Sequence, residues 1–315
     1  LPEERNFLIQ QISNMALNWP VFKVRARTAM IFVAVMAAGL LTSHWSFLFL
    51  FSVIHVGCWL EYQTLMAKKF PSYRDISPFH KYGVIIAGWG AMLFATADSW
   101  KIGDFSISAF GLWLSLIFIL VLPITELLFT RNLEQRNIAI SLVGLIYISL
   151  SLSLMVHLRS GDIWRTDATE SLFDRIIMAS ATYTGLLVPI IIIVSIWIND
   201  TMAYLVGSFI GKTPLSAISP KKTWEGTIGG ILLCVALVTL FGAFIVKAPW
   251  VHYMAISLIA AVAGTFGDLF ESKLKRMANV KDSGSFMPGH GGFLDRFDSL
   301  LFAVPFVWLY AVLFM

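Results

Sequence analysis

Three groups of polar residues interrupt an otherwise apolar chain, and each has a spacing that suits phosphate or metal chemistry. Asp268, Glu271, Ser272 and Lys275 fall at i, i+3, i+4 and i+7, so on a helix they form one stripe bearing two carboxylates, a hydroxyl and an ammonium. A buried ion pair joining two helices would account for that stripe equally well. The segment that follows runs from Lys281-Asp282 through His290 to Asp298, with Gly289, Gly291 and Gly292 around the histidine. Glycines there allow positive φ and bare N–H groups, which suits close approach to phosphate oxygens. Asp295 and Asp298 lie at i and i+3 where an apolar run begins, so both carboxylates can face one point. Hard oxygen ligands beside Lys and Arg are what a magnesium-bound nucleoside triphosphate requires.

A third element, Ser219-Pro220-Lys221-Lys222-Thr223-Trp224-Glu225-Gly226, follows shortly after Asn199-Asp200. Alone it is weak, because a Lys pair beside an apolar span usually reports topology, and no segment has the P-loop spacing of two glycines before Gly-Lys-Ser/Thr. Asp200, Asp268 and Glu271 sit inside apolar runs, where a carboxylate is costly unless it faces a polar cavity or a partner. The inference rests on the convergence of these loops.

The elements that must position these groups are membrane spans. Of 315 residues 57% are hydrophobic and 13% charged, with mean hydropathy +0.77, which excludes a water-soluble enzyme. Apolar runs near 28–42, 45–66, 82–97, 105–129, 138–156, 176–210, 226–246, 250–271 and 298–315 predict an all-α polytopic bundle of about nine transmembrane spans. The sixth run is long, and a tilted or broken helix with Pro189 as its kink is expected. A cytoplasmic N-terminus puts 18 of the 23 Lys and Arg inside, in keeping with the positive-inside rule. The +4 formal charge therefore speaks to topology, and nucleic acid is not an expected partner. One membrane domain over 1–315 is expected, with N-terminal spans in 1–170 and catalytic spans and cytoplasmic loops in 171–315. The loop 157–175 reads as a solvated outer connector. Cys58 and Cys234 lie in apolar runs and imply no disulfide. Glu61 and Glu126, each about one turn from a cytoplasmic span end, read as structural.

The run Ser272-Lys273-Leu274-Lys275-Arg276, then Lys281-Asp282, then His290-Gly291-Gly292-Phe293-Leu294-Asp295-Arg296-Phe297-Asp298 resembles the signature of phosphatidate cytidylyltransferases, also called CDP-diacylglycerol synthases. Asn199-Asp200, the Ser219–Gly226 block and Gly267-Asp268-Leu269-Phe270-Glu271-Ser272 are similar to that family as well, so the resemblance is dense in the C-terminal third. Met287 departs from it, where the family usually has Leu or Ile. The resemblance implies cytidylyl transfer from CTP to phosphatidic acid, giving CDP-diacylglycerol and pyrophosphate with Mg²⁺. It makes Asp268 and Asp295 the magnesium ligands, with Asp298 and Asp282 as further carboxylate candidates. Asp268, Asp295, Lys275 and Arg296 form its catalytic group, while Asn199, Asp200, Lys221, Lys222, Arg276, Lys281, Asp282 and His290 are its binding residues. The division of the basic residues between the triphosphate and the lipid phosphate stays open, as do a second, monovalent ion and a homodimer.

For the lipid, a polar cavity between spans six, eight and nine is expected, opening sideways near the cytoplasmic headgroups. A CTP-dependent polyprenol or phytol kinase is the nearer rival, separable by its products. An ion transporter would explain Asp200 and Asp268 but not the glycine-rich basic loops. Compact length without a targeting peptide points to an integral protein of a bacterial inner membrane with a cytoplasmic active site.

Overall fold

Ser43 turns the chain from the first helix into the second. Its hydroxyl accepts the N–H of Ser46 at 3.1 Å while its own N–H donates to the Ser46 hydroxyl at 2.9 Å, a reciprocal cap between α1 (Trp19–Leu41) and α2 (His44–Lys69). The computed structural model describes residues 19–97, 100–129, 134–160, 172–246, 249–286 and 291–315. A short helix α3 (Pro71–Arg74) follows, and then α4 (Pro78–Phe94), which starts on a Ser77 cap with proline in its first turn, where a missing N–H costs nothing. A hairpin pairing Lys101–Ile102 with Phe105–Ser106 is the only sheet among the described residues. The remaining elements are α5 (Ile107–Phe129), α6 (Gln135–Ser160), α7 (Leu172–Ile210), α8 (Trp224–Phe241), α9 (Trp250–Met277) and α10 (Leu294–Phe314).

Among the described residues, seven of these helices are long and apolar enough to cross a bilayer, and the chain is an integral membrane protein. The runs expected near 28–42 and 82–97 form shorter elements, the apolar stretch Ala26–Leu41 and the 17-residue α4. The long sixth run is one continuous helix with Pro189 inside it.

α2 is buried along its length through Phe47, Phe51, Ile54, Cys58, Trp59, Tyr62 and Leu65. Polar ties hold the N-terminal half around it. α6 changes to π-helical turns over Leu145–Leu150, and there the Ser149 hydroxyl accepts Trp59 Nε1–H at 2.8 Å and lies 2.9 Å from His55 Nε2. Gly88 of α4 permits this approach, since a side chain there would overlap Ser149. Glu126 accepts from Ser77 and lies 3.2 Å from His80 Nδ1, which is the structural role its position suggests.

Small residues seat the site-bearing helices against one another. A Cβ on Gly267 of α9 would stand 2.5 Å from the Asp298 carbonyl oxygen and 2.7 Å from Phe302 Cβ, so α9 and α10 meet backbone to backbone beside Asp268 and Asp298. Gly226 and Gly230 of α8 press in the same way on Ala203 of α7. That contact carries the Lys221–Lys222 loop to Asn199 and Asp200.

Candidate functional site

The loop between α7 and α8 is held in shape by its own backbone. Leu215 N–H donates to Lys222 O at 2.7 Å and Trp224 N–H to Thr213 O at 2.9 Å, while Thr223 caps α8 by accepting Gly226 N–H at 3.2 Å. Glu225 accepts the N–H groups of Lys212 and Thr213 from the other side of the turn. The result presents Lys221 and Lys222 at the mouth of a cavity of about 440 Å³ that is also lined by Asn199, Asp200, Thr265 and Asp268. Lys222 forms an ion pair with Asp268. Asn199 is buried, and its Oδ1 has no hydrogen-bond partner among the described residues. The cavity thus offers two ammonium groups, two carboxylates and an unclaimed carbonyl oxygen.

Asp298 is buried beside this cavity, within electrostatic reach of Asp268, Asp200 and Lys222. It accepts the N–H of Ser299 at 2.6 Å, so it does not cap α10 from outside. That task falls to Glu61 of α2, whose two oxygens accept the N–H groups of Phe293 and Leu294 at 2.9 Å each. The Ser283 hydroxyl also reaches Glu61, at 2.6 Å. An anion at the first turn of a helix satisfies bare donors and the positive end of the helix dipole together. Glu61 is structural, as its place near a span end suggests, and its partners are the donors of the signature loop.

Asp295 is the second anchor of that loop. One oxygen takes Lys275 Nζ at 2.7 Å. The other takes Gly292 N–H at 2.8 Å and Ser283 N–H at 2.9 Å. Lys275 also pairs with Glu271, one turn earlier on α9, so the stripe's lysine joins α9 to α10 through Asp295 while bonding within its own helix. The glycines were expected to offer N–H groups to phosphate. Here Gly291, at φ +82°, and Gly292 fold closely around Asp295 and Glu61 instead, and the Gly292 N–H is already used.

The site residues read from sequence therefore separate. Asn199, Asp200, Lys221, Lys222 and Asp268 share the cavity, and Asp298 flanks it. Lys275 and Asp295 belong to the loop brace, and the two carboxylates at i and i+3, Asp295 and Asp298, have different partners. Arg276, Lys281 and Asp282 are exposed on the surface. His290 and Gly289 lie outside the described residues. Arg296 lines a second cavity, of about 380 Å³, with Thr28, Phe32, Trp197 and Asp200. The expected side opening between spans six, eight and nine is thus differently built: the first cavity lies among α7, α8 and α9, and the second among α1, α7 and α10.

Among the described residues, no three His, Cys, Asp or Glu side chains gather closely enough to cage a metal ion. The first cavity instead holds two carboxylates, Asp200 and Asp268, and magnesium commonly takes one or two carboxylates with water and phosphate oxygens completing its octahedron.

Comparison with known proteins gives a consistent picture. A model of the Cytidylyltransferase family matches residues 23–314. The phosphatidate cytidylyltransferase of Bacillus subtilis is 48% identical over 123 residues, 38% of this chain and 46% of that protein. The phosphatidate cytidylyltransferase of Synechocystis is 44% identical over 134 residues, 42% of this chain and 45% of the relative. Phosphatidate cytidylyltransferase 5, chloroplastic, of Arabidopsis thaliana is 37% identical over 204 residues, 61% of this chain and 50% of its own length. The chain spans about half the length of these curated relatives.

Proposed function

This chain belongs to the cytidylyltransferase family, and from that premise we propose that it transfers the cytidylyl group of CTP to phosphatidic acid at the cytoplasmic face of the membrane, with magnesium as the metal. The observation that carries this reading is the cavity in which Lys221 and Lys222 meet Asp268, Asp200 and the unclaimed Asn199 oxygen. It is a concave site with charged side chains in its lining, built between membrane helices. The cytoplasmic side is supported by the bias of Lys and Arg towards the loops on that face.

The phosphate monoester of the acceptor has a second pKa near 6, so it is largely deprotonated at pH 7 and needs no strong base. One of its oxygens attacks the α-phosphorus of CTP. A P–O bond forms there, the bond from that phosphorus to the bridging oxygen breaks, and pyrophosphate leaves with the electron pair. The protein's tasks are positioning and charge neutralisation. Lys222 exchanges its ion pair with Asp268 for a triphosphate oxygen, and Lys221, exposed at the cavity mouth, takes a second. Magnesium, when bound, withdraws charge from the phosphate oxygens and fixes their geometry. Asp268 is the residue proposed to hold it, with Asp298 beside it as the second carboxylate, while Asp295 stays in the loop brace.

The test uses purified protein in detergent micelles with phosphatidic acid, magnesium and CTP labelled on the α-phosphate. Label in the lipid with pyrophosphate release, lost in Asp268→Asn and Lys222→Ala and on chelation of the metal, supports the reading. Transfer of γ-label to a lipid with release of CDP makes the protein a lipid kinase and overturns it.

A further inference from the structure

The connection from α2 through α3 to α4 encloses a third cavity, of about 370 Å³. Its lining comes wholly from residues 63–81, so it shares no residue with the cavity that holds Asp200 and Asp268. Three cations reach it from successive elements: Lys68 from the end of α2, Arg74 from α3 and Lys81 from the start of α4. No carboxylate stands in the lining, and among the described residues neither Lys68 nor Lys81 has an acidic partner. Arg74 pairs through Nε with its neighbour Asp75 at 3.4 Å, both side chains being exposed. Such a contact carries little weight in water and leaves the outer fork of the guanidinium available.

The frame around these cations is fixed. Gln63 is buried, and its Nε2–H donates to the Lys81 carbonyl oxygen at 2.8 Å, tying the start of α4 to α2. Ser72 and Asn137 join α3 to α6 through two bonds, Ser72 Oγ–H to Asn137 Oδ1 at 3.1 Å and Asn137 Nδ2–H to the Ser72 carbonyl oxygen at 3.2 Å. The buried Tyr73 hydroxyl lies 3.2 Å from that of Ser141. A loop that only recorded topology through its charge would need the basic residues and none of this framework. Holding three like charges around one concavity costs free energy by repulsion, and a bound anion removes that cost.

We infer that this cavity is an anion site for a phosphate group, held by Lys68, Arg74 and Lys81, and that an anionic phospholipid of the surrounding membrane supplies it from its headgroup. A guanidinium fork binds phosphate oxygens in pairs, and basic pockets between helices at a membrane surface suit such headgroups. The level is right for one. α2 is a span and ends at Lys69, and beside the cavity the exposed Tyr82 ring lies 5.8 Å from Lys81 Nζ; an exposed tyrosine next to a lysine marks the interface between hydrocarbon and water. The site is independent of the proposed reaction, since the bound lipid is not a reactant. Its occupant fastens the end of α2 to α3 and α4, about two helical turns beyond Glu61.

The test incubates the purified protein in a neutral detergent with phosphatidylglycerol, whose phosphate is a diester and cannot serve as acceptor, and counts retained lipid by native mass spectrometry against phosphatidylcholine. Wild type should retain phosphatidylglycerol in preference, and the double substitution Lys68→Ala with Arg74→Ala should weaken that binding at least about tenfold. Two controls carry the specificity. Lys69→Ala removes an exposed cation outside the lining, and Lys222→Ala removes one from the first cavity; each should bind within about twofold of wild type. No preference over phosphatidylcholine, unchanged binding by the double variant, or an equal loss in either control overturns the site. Lys68 and Arg74 are exposed, so the double variant should melt with wild type in the absence of lipid, and phosphatidylglycerol should raise the midpoint of wild type more than that of the variant; an equal rise also overturns the site. Excess inorganic phosphate separates the two sources of the group. Lipid retained against it assigns the site to a headgroup, whereas displacement in wild type keeps the phosphate site and overturns the lipid as its source.

Discussion

Replacing Glu61 by Gln tests whether the N-terminal half of the chain sets the geometry of the signature loop. The carboxylate receives three donors: the N–H of Phe293 at 2.9 Å, the N–H of Leu294 at 2.9 Å and the Ser283 hydroxyl at 2.6 Å. Leu294 is 0% exposed and Ser283 is 5% exposed, so at these two donors water does not replace what is lost. A glutamine keeps one acceptor oxygen and turns an NH2 group against the other donor. One hydrogen bond to a charged group disappears and one buried N–H is left unsatisfied, with the favourable anion at the helix start also gone. Together these cost about 2–4 kcal/mol, which at 1.4 kcal/mol per tenfold shifts docking of the loop by roughly 30-fold to 1,000-fold. We expect Glu61→Gln to lower the thermal midpoint in detergent and to cut kcat for cytidylyl transfer at least about tenfold. Glu61→Ala should do more, and Glu61→Asp should recover part of the loss. A Glu61→Gln protein with wild-type midpoint and kcat would refute the reasoning, because the three hydrogen bonds would then carry no weight in the folded, active state.

Gly292→Ala should behave like Glu61→Ala, since a methyl group there overlaps both oxygens of Glu61; a fully active Gly292→Ala protein would show that the loop has room the structure does not give it. Ser149→Ala removes the acceptor of Trp59 Nε1–H and the contact to His55, and should lower stability by about 1–3 kcal/mol while leaving both substrate KM values unchanged; a selective change in either KM would contradict a purely structural role. The Tyr147 hydroxyl is buried and has no hydrogen-bond partner among the described residues. Tyr147→Phe is therefore expected to leave the melting midpoint equal to or above that of wild type, and a clear fall would refute the reading of an unbonded hydroxyl.

Much of this architecture is legible in the chain because the bilayer enforces it. Each long apolar run has to satisfy its own backbone, so each becomes a helix, and the long stretch through Pro189 stays one helix because its tail after Asp200 is too short to cross alone. The cavity residues Asn199, Asp200, Lys221, Lys222 and Asp268 are also readable, since charge inside an apolar run needs a polar surrounding. The role of Glu61 is not readable. Its partners are 222 to 233 residues away, and a carboxylate near a span end has an adequate explanation in solvent. The signature glycines mislead for a related reason: loose backbone around a histidine suits phosphate, but it equally suits two carboxylates of the protein itself, and only the three-dimensional arrangement distinguishes them. The separation of Arg296 from the two lysines likewise depends on α1, a helix with generic composition that the local pattern does not connect with the site.

The Glu61 clamp also bears on how the molecule is made. A fragment beginning at α7 would contain every residue of the signature, yet its α10 would start with bare N–H groups and no anion to receive them. Synthesis separates Glu61 from Phe293 by 232 residues, so the signature loop stays unlatched while the intervening helices are threaded into the bilayer. The brace forms only when an early helix and a late one have docked, which turns the clamp into a checkpoint on assembly: the signature loop takes its shape once the two ends of the chain are joined.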